Sequence, residues 1–265
     1  GPGSPELLTP AAQAAIDNAA TVVAASRHAQ LVPPTKLLLL GRLDDTFDEI
    51  ERRLNKGSVA VVVSGDPGLF SLLPRLKQRF PAVRLRVIPG IGSLQALSAG
   101  LGESWEQAQI LSGHGRSLTA GALAATVQQH PITFLFCDRE HNPAWACRAL
   151  LAYGLTEVQV AVGERLSYPS QRLCCEKPAD LAGQDFDDLS VVRIANPAVQ
   201  PLVLTPGLTD DRFVCGSTPM TKEEVRWLVL CKLQLTPAAV VWDVGAGTGS
   251  VSVECARLCP QGEVY

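Results

Sequence analysis

At 265 residues the chain is long for one domain and short for three, so it reads as two. A net charge of −3 with no dense Lys/Arg run leaves no phosphate-tracking surface, which argues against a nucleic-acid partner. No apolar run approaches bilayer length, no secretory signal is recognisable, and the eight cysteines form no Cys-x-x-Cys pair and have no His at metal spacing, so the expectation is a cytoplasmic protein with mostly buried, reduced thiols, no membrane partner and no metal.

The first ten residues, GPGSPELLTP, allow two readings. Gly-Pro-Gly before a helix suits a cofactor turn, and GPGS is also what tag cleavage leaves behind. Phe47, Ile50 and Leu54 then stand at helical spacing in a segment that Gly57 stops. The β-branched run Ser58–Val63 reads as a strand covered on both faces. Leu72, Leu73, Leu76 and Phe80 mark the next helix, and Val83–Ile88 alternates like a short strand. Ile132–Phe136, Val158–Val162 and Val191–Ile194 repeat the strand pattern, with a helix at Asn142–Tyr153. Strand–helix alternation predicts an α/β fold with a largely parallel sheet. The Pro-, Gly- and Asp-rich stretch 198–218 reads as a linker. Beyond it, Thr221–Leu233 reads as a helix capped by Thr221 with Glu224 at N3, presenting Val225, Leu228, Val229 and Leu233 as its apolar face.

Three glycine-bearing loops follow strands, where open α/β sheets bind ligands. Ser64–Phe70 (SGDPGLF) offers Gly65 and Gly68 for close approach, Pro67 for stiffness and the Asp66 carboxylate. Asp66 either meets a ligand or caps the following helix. Pro89–Ser93 (PGIGS) opens a helix, so its amides point outward as donors. After the apolar run Ala239–Trp242, Asp243, Gly245, Gly247 and Gly249 form a Gly-x-Gly-x-Gly nucleotide-type turn. The acidic residue expected some twenty positions on falls beyond Tyr265.

GPGSPELLTP, SGDPGLF and PGIGS, in this order, resemble the tetrapyrrole methylase family of S-adenosylmethionine enzymes. LSGHGRS (Leu111–Ser117) and VGERLSYPSQR (Val162–Arg172) narrow the resemblance to the branch that methylates a precorrin at carbon 5 in cobalamin biosynthesis. Residues 219–265 resemble the start of the partner enzyme, a Rossmann-like methyltransferase acting at carbon 15 with decarboxylation. On this resemblance GPGS is native motif, the strand that precedes it in the family is missing, and the second methyltransferase is incomplete and inactive.

The resemblance implies a two-subdomain fold with the cofactor cleft between residues 1–101 and 102–197, followed by the linker and the truncated Rossmann-like domain 219–265. It implies S-adenosylmethionine held by Gly1, Pro2, Gly3, Gly65, Asp66, Pro67 and Gly68, flanked by Pro89, Gly90 and Ser93. The substrate is a corrin precursor rich in carboxylates, for which Arg27, Arg116 and Arg165 are candidate partners. His114, Arg116 and Glu164 are the catalytic candidates, Glu164 by orienting Arg165. A homodimer or higher homo-oligomer is also implied. The alternatives are an RNA-ribose or diphthine-type methyltransferase of the same fold, a catalytically inactive binding fragment, or a nicotinamide-dependent dehydrogenase half; against the last, its turn would read Gly-x-Gly-x-x-Gly.

Overall fold

The computed structural model describes residues 2–114, 118–199, 206–260 and 262–265. Residues 1–200 and 201–265 form separate compact units.

The first unit is built on two sheets. In one, β1 (Thr21–Ala24), β2 (Leu37–Leu39) and β3 (Val59–Val62) run parallel in the order β2-β1-β3. Strand side chains alternate between faces, and the helices divide them accordingly. The helix α1 (Pro10–Asn18), capped where the Thr9 hydroxyl accepts the Ala12 N–H, lays Ile16 against Val22, Ala24, Ala60 and Val62. From the other face α2 (Leu43–Leu54) and α3 (Leu73–Arg79) bring Phe47, Ile50 and Leu76 against Val23, Val59 and Val61.

After α4 (Ser93–Leu101) comes the second sheet: β4 (Gln109–Ser112), β5 (Ile132–Phe136), β6 (Gln159–Glu164), β7 (Arg172–Glu176) and β8 (Ser190–Ala195). Its order is β4-β5-β8-β6-β7, and only β4 and β5 are parallel. The expected parallel character therefore stops at β5, because β6 and β7 form an antiparallel pair and β8 returns between β5 and β6. Leu94 and Leu97 of α4 pack on one face against Phe134 and Val191. On the other, α5 (Ala120–Gln129), α6 (Pro143–Ala152) and the single turn α7 (Pro178–Leu181) supply Leu123, Leu150 and Leu181 against Val160, Val192 and Ile194.

One expected strand is absent. Val83–Ile88 is irregular and joins no ladder, although its apolar and basic residues alternate in sequence from Val83 to Val87. The thiols also differ from expectation. Cys137, Cys147, Cys255 and Cys259 are buried, Cys174 is half-buried, and Cys175, Cys215 and Cys231 are exposed.

The second unit pairs β9 (Val240–Val241) in parallel with β10 (Glu263–Val264) and adds α8 (Glu223–Leu233) and α9 (Ser250–Leu258). Helix α8 is capped at Lys222 without a side-chain bond, not at Thr221. Its predicted apolar face is turned outward: Val225 and Leu228 are more than half exposed, while Arg226 is fully buried. The cause is electrostatic. The Arg226 guanidinium bonds Asp210 Oδ1 (2.9 Å) and the Thr221 carbonyl (2.8 Å), and its Nε lies 3.6 Å from buried Glu254. Glu254 in turn accepts the Leu208 N–H at 2.8 Å, tying residues 207–208 to α9.

Candidate active site

The site grows from the carboxyl end of β3. Gly65 is left-handed at φ +67°, and a Cβ there would come within 3.3 Å of Gly92 Cα, so two turns pass almost touching. Asp66 ties them together. One carboxylate oxygen accepts the Gly68 N–H at 2.7 Å and the other accepts the Gly90 N–H at 3.0 Å. Asp66 is thus a brace between the SGDPGLF and PGIGS loops rather than a helix cap; α3 starts seven residues later with Leu72 at its cap.

The N-terminal turn forms a further wall. The Ser4 N–H donates to Ser167 Oγ at 3.0 Å. Gly3 lies flat against Tyr168, where an added Cβ would fall 2.2 Å from the ring. Tyr168 belongs to the β6–β7 loop, in which Arg165 (φ +46°) and Ser167 (φ +70°) both adopt the left-handed conformation. Such strain persists only where contacts over-determine it. Here Gln171 accepts the Ser167 N–H at 2.8 Å, and Arg165 pairs with Asp187 at 3.3 Å while lying over the Tyr168 ring at 5.3 Å.

Between these walls lies a cavity of about 540 Å³, lined among others by Pro2, Asp66, Ser93, His114, Arg165 and Tyr168. Gly3, Pro67, Pro89 and Gly90 line a second cavity of about 500 Å³ beside β3, and Gly65 lines both. Gly68 serves the brace. His114 is exposed at the rim of the first cavity, its N–H donating to Ser112 Oγ at 3.2 Å. Gly1 and Arg116 lie outside the described residues. Glu164 is corrected: it is buried, accepts the Asp187 N–H at 2.8 Å and pairs with Arg172 at 3.3 Å, not with Arg165, and it lines neither cavity. Its work is to anchor the turn before β8.

Sequence reading missed Tyr168 and Ser167, although both stand inside a quoted motif, and it ranked His28, in SRHAQL, below His114 as a functional histidine. His28 is buried, with Nε2 3.4 Å from Ser64 Oγ, which also accepts from Arg27 at 2.6 Å. Burial first, and the Arg27 charge second, lower its pKa from 6.5 to about 4. Between those values the unfolded chain binds a proton that the folded chain does not. The contribution of His28 to stability is therefore complete above pH 6.5 and falls away as the pH drops toward 4. Melting temperature measured across that window is expected to decline less steeply in His28→Phe; an identical slope would refute the assignment.

In the second unit Gly245, Gly247 and Gly249 are all left-handed, at φ +82°, +60° and +73°. Gly249 caps α9, and Asp243 accepts from Ser252 Oγ at 2.6 Å, so the loop is folded back onto the helix start. Among the described residues no His/Cys/Asp/Glu group fit to hold a metal ion is present. No helix of the described residues is long and apolar enough to cross a membrane.

Comparison with known proteins gives a consistent picture. Residues 1–181 match the family described as Tetrapyrrole (Corrin/Porphyrin) Methylases, and residues 213–265 match the Precorrin methyltransferase domain. The cobalt-precorrin-7 C(5)-methyltransferase of Salmonella typhimurium is 30% identical over 195 residues, covering 72% of this chain and 94% of that protein. The decarboxylating precorrin-6Y C(5,15)-methyltransferase of a Sinorhizobium species is 27% identical over 251 residues; the match takes in 90% of this chain but only 59% of the relative. Among solved structures, the uroporphyrin-III C-methyl transferase of Thermus thermophilus, complexed with S-adenyl homocysteine, superposes with a TM-score of 0.61 at 20% identity, covering 74% of this chain and 94% of that one.

Proposed function

The chain belongs to the tetrapyrrole (corrin/porphyrin) methylases, and from that premise we propose that it is an S-adenosylmethionine-dependent enzyme that methylates carbon 5 of a precorrin in cobalamin biosynthesis. The observation that carries the site assignment is the Asp66 brace. It holds two glycine turns against each other at the carboxyl end of β3, beside a cavity of about 540 Å³.

The residues present fit the cofactor. Gly65 and Gly92 bring backbone, not side chains, to the cavity wall, and the start of α4 adds outward-facing amides at Ser93. S-adenosylmethionine supplies, when bound, a methyl group on a sulfonium centre for displacement by a carbon nucleophile. Pro2, Gly65, Asp66 and Ser93 would hold it, with Tyr168 closing the cavity over Gly3. Catalysis of such a displacement is mainly positioning. The loops, tied to one another by Asp66 and by the Ser4–Ser167 bond, serve that end. His114, at the rim, is placed to take up the proton the substrate releases. Arg27 donates to Ser64 Oγ at 2.6 Å, and its other N–H groups are the candidate contacts for a substrate carboxylate. Asp243, Gly245, Gly247 and Gly249 belong, on the same reading, to the cofactor loop of a second methyltransferase. A cytoplasmic location and a homodimer are part of the proposal.

Calorimetric titration with S-adenosylhomocysteine, with NADH as control, tests it. Binding of the first alone is expected, with loss on Gly3→Leu, which drives a side chain into the Tyr168 ring. Binding of NADH instead would sink the reading in favour of a dehydrogenase-type site.

A further inference from the structure

We propose that His141 is a positioning residue of the active site: its ring staples Gly113 to Leu118 and so fixes the backbone that carries His114 at the cavity rim. The inference rests on the role given above to His114 as proton acceptor. It concerns a residue that itself lines neither cavity.

The ring is held first by the connection between β5 and α6. Asp138, just past the end of β5, accepts the Glu140 N–H at 3.0 Å and the His141 N–H at 2.6 Å, both through Oδ1. The same oxygen lies 3.1 Å from His141 Nδ1. Trp145, in the first turn of α6, meets the imidazole edge-on with the ring centroids 4.7 Å apart. Its backbone N–H donates to the cap residue Asn142 at 2.8 Å, so the indole is seated on a capped helix start. The His141 side chain is left only 12% exposed. A ring bonded at one nitrogen and packed on an indole has little freedom to turn.

From that seat the ring grips the chain that leaves β4. Its Nε2–H donates to the Leu118 carbonyl at 3.0 Å, and a carbonyl only accepts, so the proton on Nε2 is fixed. The ring also lies directly on Gly113. A Cβ there would come within 2.8 Å of His141 Cβ and 3.0 Å of Nδ1, so this glycine serves a close approach. Gly113 is buried, and its N–H donates to the Phe136 carbonyl at 3.0 Å, which carries the β4–β5 ladder one residue further. His114 comes next, exposed, its own N–H on Ser112 Oγ at 3.2 Å. Ser112, Phe136 and Cys137 line the cavity beside it, and Leu118 packs on the core of the second sheet. One imidazole thus joins the last buried residue before His114 to a point where the chain is again anchored in the core. A hydrocarbon side chain would fill the same space. The bonds add a defined position, and catalysis falls steeply when a reacting group is displaced by about 1 Å.

Two conservative variants separate the bonds, because the amide nitrogen of Asn overlays Nδ1 of His and that of Gln overlays Nε2. His141→Asn keeps a donor for Asp138 and gives up Leu118, whereas His141→Gln still reaches Leu118; both lose the ring. In His141→Asn, amide exchange at residues 112–114 is expected to quicken about tenfold, and kcat for methyl transfer from S-adenosylmethionine to precorrin-6Y to fall about tenfold. KM for S-adenosylmethionine and affinity for S-adenosylhomocysteine should keep their wild-type values, since Pro2, Gly65, Asp66 and Ser93 lie on other loops. His141→Gln should restore both exchange and kcat. Wild-type exchange in His141→Asn overturns the staple. Equal damage in the two variants also overturns it, because ring packing and not the Leu118 bond would then be at work. Quickened exchange with wild-type kcat, or a loss confined to KM, overturns the positioning role. A wild-type chain that turns over no precorrin-6Y counts against the carbon-5 reading, and exchange then decides the staple by itself.

Discussion

Asp66→Ala is expected to weaken S-adenosylhomocysteine binding about 100-fold. The brace consists of two amide-to-carboxylate hydrogen bonds, at 2.7 and 3.0 Å, and hydrogen bonds to a charged group contribute about 1.5 kcal/mol or more each. Losing both removes about 3 kcal/mol of organisation from the loops, which is two decades in Kd. Calorimetry reads the change. Asp66→Asn separates bracing from direct charge contact. It keeps one good acceptor and should weaken the neutral sulfide product and the cationic sulfonium donor by similar factors. A loss confined to the sulfonium ligand would show that the carboxylate acts on the ligand's charge instead. Wild-type affinity in Asp66→Ala would remove the brace from the mechanism.

The second large effect concerns stability. Arg226 and Glu254 are both essentially buried, and each is held by several partners: Arg226 also packs on the Phe213 ring at 4.6 Å, and Glu254 is approached by Arg257 at 3.4 Å. Deleting Glu254 leaves buried Arg226 with only Asp210 as a countercharge, and deleting Arg226 leaves buried Glu254 with only Arg257; breaking such a buried pair costs up to about 3–5 kcal/mol. A unit of two helices and two short strands has little core from which to absorb that loss. Arg226→Ala or Glu254→Ala is therefore expected to unfold residues 206–265, seen as loss of amide protection along α8 and α9. The double replacement Arg226→Met with Glu254→Leu leaves no orphan charge and should recover most of it. Equal damage from the single and double changes would mean that packing, not charge, holds this unit.

How far the sequence carried depended on the range of the interactions involved. The β-branched run at Val59–Val62 and the 3.6-residue spacing of Phe47, Ile50 and Leu54 are local patterns, and the structure follows both. Val83–Ile88 has the right alternation, but a strand is completed by its neighbour, and alternation cannot supply one. Helix α8 inverted the expectation because periodicity assigns charge to solvent. The partners that bring Arg226 inward, Asp210 and Glu254, lie 16 and 28 positions away. The glycine loops were legible as loops, whereas their mutual contact was not. The Tyr168 wall was hidden most deeply, since the Ser4–Ser167 bond that fixes it spans 163 positions. Glu164 misled for the opposite reason: proximity in sequence to Arg165 suggested a pair, but β6 ends at Glu164, and Arg165, left-handed in the loop that follows, pairs with Asp187 instead.

The distribution of thiols turns the chain into its own unfolding reporter. Cys137 and Cys147 sit in the core of the first unit, where burial raises both thiol pKa values, that of Cys147 to about 12, while Cys255 and Cys259 are buried in the second. The thiolate is the nucleophile that displaces iodide from iodoacetamide, so a brief pulse marks Cys175, Cys215 and Cys231 in the native state and spares those four. Each unit can then be followed separately in one sample, by the masses of its own peptides, as denaturant or a substitution opens it.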